Sequence, residues 1–149
     1  MRRPDTSAPF PSDICLHNLI EAQAAAYPDN IAVSCPSEAL SYTALEQRAN
    51  RLAHHLISKG VRLGDVVGVL VQRSCDLIVG FLAVLKAGAV HLPLDPRLPP
   101  QRLHFMLRDA EATAVISKAE LTEQAFGGAL SGRNIEGANG CAVVLLDQD

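Results

Sequence analysis

Between Val66 and Ile116 the chain alternates between short unbroken apolar runs and apolar residues spaced for one face of a helix. No other feature restricts the fold as strongly. The run VVGVLV at Val66–Val71 is continuous, as a strand covered on both faces of a parallel sheet requires. Leu77, Ile78, Phe81, Leu82, Val84 and Leu85 then recur at helical spacing, and Gly88 offers a left-handed stop. Ala89–Leu92 is a second strand candidate that Pro93 is expected to end. In the LDPRLPPQ loop Asp95 is expected to cap a turn, and Pro99 or Pro100 to open a helix bearing Leu103, Met106, Leu107 and Ala110. Ala112–Ile116 is the third strand candidate. The pattern is β-α-β-α-β, a parallel sheet with right-handed crossovers, and the fold class is α/β.

The flanking segments read less uniformly. Asp13 is placed to cap a helix with Leu16, Leu19, Ile20 and Ala24 on one face, which Pro28 must end. After the short strand IAVS at Ile31–Ser34, Thr43 and Glu46 have the spacing of a capping box, T-A-L-E. Leu45, Ala49, Leu52, Ala53, Leu56 and Ile57 continue at helical spacing up to Gly60. Residues 127–140, GGALSGRNIEGANG, hold five of the ten glycines and are expected to form a flexible surface loop. Val143–Leu146 reads as one more buried strand. Almost no sequence follows it to supply cover, so the expectation is an incomplete sheet that exposes an apolar patch and associates.

Function is narrowed first by exclusion. A net charge of −3, with 13 Lys and Arg spread along 149 residues, gives no basic stripe for nucleic acid or an acidic membrane. The most apolar run, Leu77–Leu85, is far short of the ~20 residues of a membrane span. The opening MRRPDTSAPFPSD lacks the apolar core of a secretory signal, and residues 1–12 are expected to be a disordered lead-in. Cys15, Cys35, Cys75 and Cys141 stand far apart without a C-x-x-C pair, which fits reduced, buried thiols in a cytoplasmic chain.

No constellation of catalytic residues emerges. A phosphate loop of the form G-x-x-x-x-G-K-[ST] is absent; the nearest string, GGALSGR at Gly127–Arg133, has arginine for lysine and lacks the hydroxyl. No G-x-G-x-x-G follows a strand. His54 and His55 are adjacent, so they point about 100° apart on a helix and cannot share a metal; both are expected at the surface. Cys15 with His17, and Ser41 with Tyr42, lack a nucleophile elbow and a matching acid. Lys86 falls in a last helical turn, where the helix dipole favours a cation. The expected catalytic, cofactor and metal residues of this chain are therefore none.

Several strings together resemble one family. LSYTAL at Leu40–Leu45 is similar to L-[ST]-Y-x-E-L, and LKAGAVHLPLDP at Leu85–Pro96 is similar to L-K-A-G-x-A-Y-V-P-I-D. With RANRLAHHL, GVRLGDVVGV and RLHFMLRDA in the same order, Leu16–Ser117 resembles the opening of a nonribosomal peptide synthetase adenylation domain, in the adenylate-forming, AMP-binding superfamily. Departures are Ala44 for Glu, Val90 and His91 for Ala and Tyr, and Leu98 for Tyr. Asp95, where many acyl-coenzyme A synthetases of the superfamily carry Asn, tilts the resemblance toward the amino-acid-activating branch.

The resemblance implies a β-α-β-α-β part of the N-terminal subdomain, spanning 13–149, of an enzyme that uses ATP and Mg to form an acyl-adenylate and passes it to a phosphopantetheine carrier. The family's phosphate loop, adenine and ribose contacts and catalytic lysine lie beyond the matched motifs. An N-terminal fragment, inactive alone, with the rest of the adenylation domain and a carrier protein as partners, is the implied reading. The alternative is a non-catalytic remnant that serves as a docking module.

Overall fold

The computed structural model describes residues 12–127, 130–131, 134–138 and 140–147. Helix α1 (Leu16–Ala26) is followed by strands β1 (Ile31–Ser34) and β2 (Ala39–Ser41), which pair antiparallel as a small separate sheet. Helix α2 (Tyr42–Ser58) leads into β3 (Val66–Leu70), α3 (Cys75–Lys86), β4 (Val90–Leu94), α4 (Pro100–Asp109) and β5 (Ala114–Ser117). Helix α5 (Ala119–Phe126), β6 (Leu130–Ser131), β7 (Asn134–Ile135) and β8 (Ala142–Leu145) complete the described chain.

The main sheet has the order β4-β3-β5-β8-β7-β6. Its first four strands are parallel, with Val69 level with Pro93 on one side and Ile116 on the other, and Ile116 level with Val144. Side chains alternate across it, as the period of 2 demands. Val67, Val69, Val71, Ala114, Ile116 and Val144 face one way and pack with Leu56 of α2 and Ala83 and Val84 of α3. Leu70, Leu94, Val115 and Val143 face the other way, onto Leu103 and Leu107 of α4 and Phe126 of α5. A third cluster, Leu40, Leu45, Ala49, Cys75, Val79 and Leu82, seats the small sheet against α2 and α3.

The expected β-α-β-α-β unit is β3-α3-β4-α4-β5, with cover on both faces, so the α/β assignment holds. Gly68 explains the glycine within an otherwise apolar strand. A Cβ there would stand 2.9 Å from Leu94 Cδ1 and 3.1 Å from Leu107 Cδ2, so the α4 face closes directly onto backbone. Gly60, at φ +95°, is the left-handed residue that stops α2.

Local expectations fail where a more distant partner wins. The cap of α2 is Ser41, whose hydroxyl accepts the Ala44 N–H at 3.2 Å; Thr43 donates instead to Pro28 O, and Glu46 reaches Lys86, so no Thr43–Glu46 capping box forms. Cys15, not Asp13, precedes α1, without a side-chain cap, and Leu16 and Leu19 of its apolar face stay exposed. Pro93 does not end β4. The strand runs on to Leu94, because β4 lies at the sheet edge, where a missing N–H faces solvent.

Helix α5, which no sequence pattern announces, is an eight-residue element that forms the crossover from β5 to β8. The described residues of the glycine-rich stretch are more structured than a surface loop: β6 and β7 pair antiparallel, and Ile135 and Ala138 are buried in the α4–α5 core. Apart from Ser12, the expected disordered lead-in lies outside the described residues.

Candidate functional site

In open α/β sheets ligands sit beyond the carboxyl ends of the strands, where successive connections leave on opposite faces. Here α3 covers one face and α4 and α5 the other, which puts that point between β3 and β5. Ser117 closes the strand ends together by donating its hydroxyl to Leu70 O at 3.0 Å. Next to it lies a charge cluster. Asp76, in the first turn of α3 and only 7% exposed, pairs through Oδ1 with Arg48 of α2 and through Oδ2 with Lys118 Nζ at 2.7 Å. Arg48 also reaches Glu38 at 3.0 Å. The hydrogen bond to Asp76 holds the Lys118 ammonium above its ordinary pKa against a smaller opposing effect of burial.

The helix N-termini at this edge are the natural places for phosphate, because their first N–H groups lack partners. Each is closed. At α3 the first turn already carries the Asp76 carboxylate, paired with Arg48 and Lys118. At α4, Pro99 and Pro100 offer no N–H. At α5 the Ala119 N–H donates to both oxygens of Asp147, at 3.1 and 3.2 Å. Among the described residues, no group of three His, Cys, Asp or Glu side chains could hold a metal ion.

A neighbouring crevice of about 650 Å³ opens between the β3 and β4 ends, lined by Val71, Arg73, Leu94, Asp95, Arg97 and Gln124 among others. Side-chain and backbone hydrogen bonds from Arg97 hold the Asp95 carboxyl down at about 2. The Arg97 N–H and guanidinium bond back to this one carboxylate, and the Asp95 carbonyl accepts the Leu98 N–H, so Asp95 caps the turn as expected. The crevice carries charge but no paired nucleophile and base.

The other candidates stay apart. Cys15 and His17 lie at the start of α1, while Ser41 and Tyr42 open α2. His54 is exposed as expected; His55 is half-buried, its Nε2 enclosed without a partner, against a groove between α2, α3 and β8. GGALSGR lies partly outside the described residues, with Leu130 and Ser131 in β6. Of the four cysteines expected to be buried, Cys75 and Cys141 are, Cys35 is half-buried, and Cys15 is exposed because α1 packs lightly. Lys86 occupies the last turn of α3, but more than a helix dipole holds it. Its side chain is 6% exposed, and its ammonium pairs with Glu21 and with Glu46 at 2.9 Å. Burial alone would lower the Lys86 pKa; the bonds to Glu21 and Glu46 outweigh it and raise the value.

The AMP-binding enzyme family matches residues 20–149. A linear gramicidin synthase of Brevibacillus parabrevis is 44% identical over 119 residues, covering 80% of this chain and 2% of the relative. Phosphinothricin tripeptide synthetase PhsC of Streptomyces viridochromogenes is 43% identical over 134 residues, 90% of this chain and 11% of the relative. The crystal structure of the nonribosomal peptide synthetase FmoA3, in its α-methyl-L-serine-AMP-bound form, superposes with a TM-score of 0.82 at 30% identity. That superposition covers 97% of this chain and 15% of FmoA3, and no helix among the described residues is long and apolar enough to cross a membrane. The parallel sheet is that of the N-terminal subdomain of an adenylation domain, and this chain belongs to the AMP-binding enzyme family.

Proposed function

We propose that this chain is the sheet-bearing N-terminal part of an ATP-dependent, amino-acid-activating enzyme of nonribosomal peptide synthesis, and that it does not activate amino acids by itself. The observation that supports the reading is that the first turns of α3, α4 and α5 hold Asp76, Pro99–Pro100 and an Ala119 N–H bonded to Asp147 where a phosphate loop would place glycines. In this reading the chain supplies the frame of an adenylating fold, and other residues of the enzyme supply the triphosphate and metal contacts. Its partners are then the rest of the adenylation domain and, for the activated amino acid, a phosphopantetheine carrier. The family's chemistry points to the cytoplasm, where ATP is available.

The 149-residue chain is expected to show only background ATP–pyrophosphate exchange with every proteinogenic amino acid. Exchange above background that vanishes on denaturation overturns the reading. The same assay on a chain extended with adenylation-domain sequence from a relative is expected to recover exchange.

A further inference from the structure

We propose that Cys35 and Cys75 form an oxidation site at which a peroxide joins the two sulfurs as a disulfide, tying the small antiparallel sheet to the start of α3. The two residues are distant in sequence but converge on one atom. The Cys35 N–H donates to Glu38 O at 2.8 Å, and the Cys75 thiol donates to the same oxygen at 3.7 Å. Both side chains belong to the cluster that seats the small sheet on α2 and α3. Nothing in the adenylating reading uses either thiol.

Exposure sets the order of events. Cys35 is half-buried and reaches solvent, whereas Cys75 is enclosed. Burial first, and the neighbouring Cys35 second, push the Cys75 thiol up to about 11, so it stays protonated near neutral pH and is the slower nucleophile. The Cys35 thiolate therefore attacks the peroxide: an S–O bond forms, the O–O bond breaks, and with hydrogen peroxide the leaving hydroxide takes up a proton as water. The Cys75 sulfur then attacks the Cys35 sulfenic sulfur. The S–S bond forms as the S–O bond breaks, and the departing hydroxide takes the Cys75 proton as a second water. Two thiols are oxidised and one peroxide is reduced.

The other two cysteines serve as internal controls. Cys15 is exposed at the start of α1, and Cys141 lies in the α4–α5 core, where burial pushes its thiol up to about 12.

The test treats the reduced 149-residue chain with hydrogen peroxide, alkylates the remaining thiols and digests with trypsin plus a glutamate-specific protease. Cleavage after Glu21 and Glu38 separates Cys15 from Cys35, and cleavage after Arg73 and Lys86 isolates Cys75. Mass spectrometry without reductant is expected to find peptides 22–38 and 74–86 linked, two hydrogens lighter than the free pair, and separated by dithiothreitol. The link is expected to persist in Cys15→Ser and in Cys141→Ser and to vanish in Cys35→Ser. Cys35 driven to sulfinic acid with Cys75 still alkylatable after denaturation, or links that run mainly through Cys15, overturns the proposal, and the wild-type peptide map decides this without any variant.

Discussion

The two faces of the parallel sheet are covered by the same principle but from different kinds of sequence. On one face α2 and α3, of 17 and 12 residues, bring long apolar stripes onto Val67, Val69 and Ile116. On the other, α4 and α5 have 10 and 8 residues, and the core is finished by Ile135, Ala138 and Cys141, single residues beyond the crossover helices. A long helix supplies its own repeating pattern. Isolated residues among glycines supply none, although in the folded chain Ile135 is 1% exposed and Cys141 is fully buried. Periodicity therefore reports which elements are self-contained, not where the core ends.

The sharpest way to break this comparison is to truncate matched residues on the two faces. Leu56 and Leu107 are both fully buried, so Leu56→Ala and Leu107→Ala are each expected to lose about 2–5 kcal/mol in urea unfolding. A cost below about 1 kcal/mol for Leu107→Ala alone would mean that the second face is only loosely covered. A smaller effect tests the glycine-rich stretch. Ile135→Ala is expected to cost about 2 kcal/mol as a core truncation, whereas a residue on a solvated loop changes stability by no more than about 0.5 kcal/mol.

The smallest effect distinguishes the faces by pH. His91 of β4 packs edge-on against Phe81 of α3, ring centroids 5.0 Å apart, with its Nε2 enclosed and unpartnered. Burial lowers its pKa from the usual 6.5. The unfolded chain then binds the proton first, so this residue's contribution is intact well above pH 6.5 and is lost as pH falls through it. The thermal midpoint should fall between about pH 7.5 and 5.5, and His91→Phe should flatten that slope. An unchanged slope in the variant removes His91 as the cause.

What was legible follows the same physics. The β3-α3-β4-α4-β5 unit could be read because β3 and β5 are built on continuous apolar runs, β4 is a short mostly apolar one, and both crossover helices have a stripe ending at Gly88 or opening at Pro99–Pro100. Helix α5 was not, since AELTEQAF buries only Leu121, Thr122, Ala125 and Phe126 in two turns, too short to establish a period. The edge cluster of Arg48, Asp76 and Lys118 was invisible for another reason. Its members come from α2, α3 and the turn after β5, and only the sheet order brings them together. The Thr43–Glu46 signal was real as a spacing and false as a structure, because Lys86 competes for Glu46 more strongly than a backbone N–H does.

Pro93 has a consequence for the behaviour of the chain in concentrated solution. β4 is an outermost strand, and an open edge of alternating donors and acceptors invites a strand from a second molecule to continue the sheet. Pro93 breaks that row of donors at the level of Val69, in the body of the strand, and Arg97 places a charged, 81% exposed side chain just past its end. Strand-by-strand growth into fibrils is thereby blocked at this border. Self-association at this border must use side-chain surfaces, such as the exposed Leu16 and Leu19 of α1, instead of sheet extension through β4.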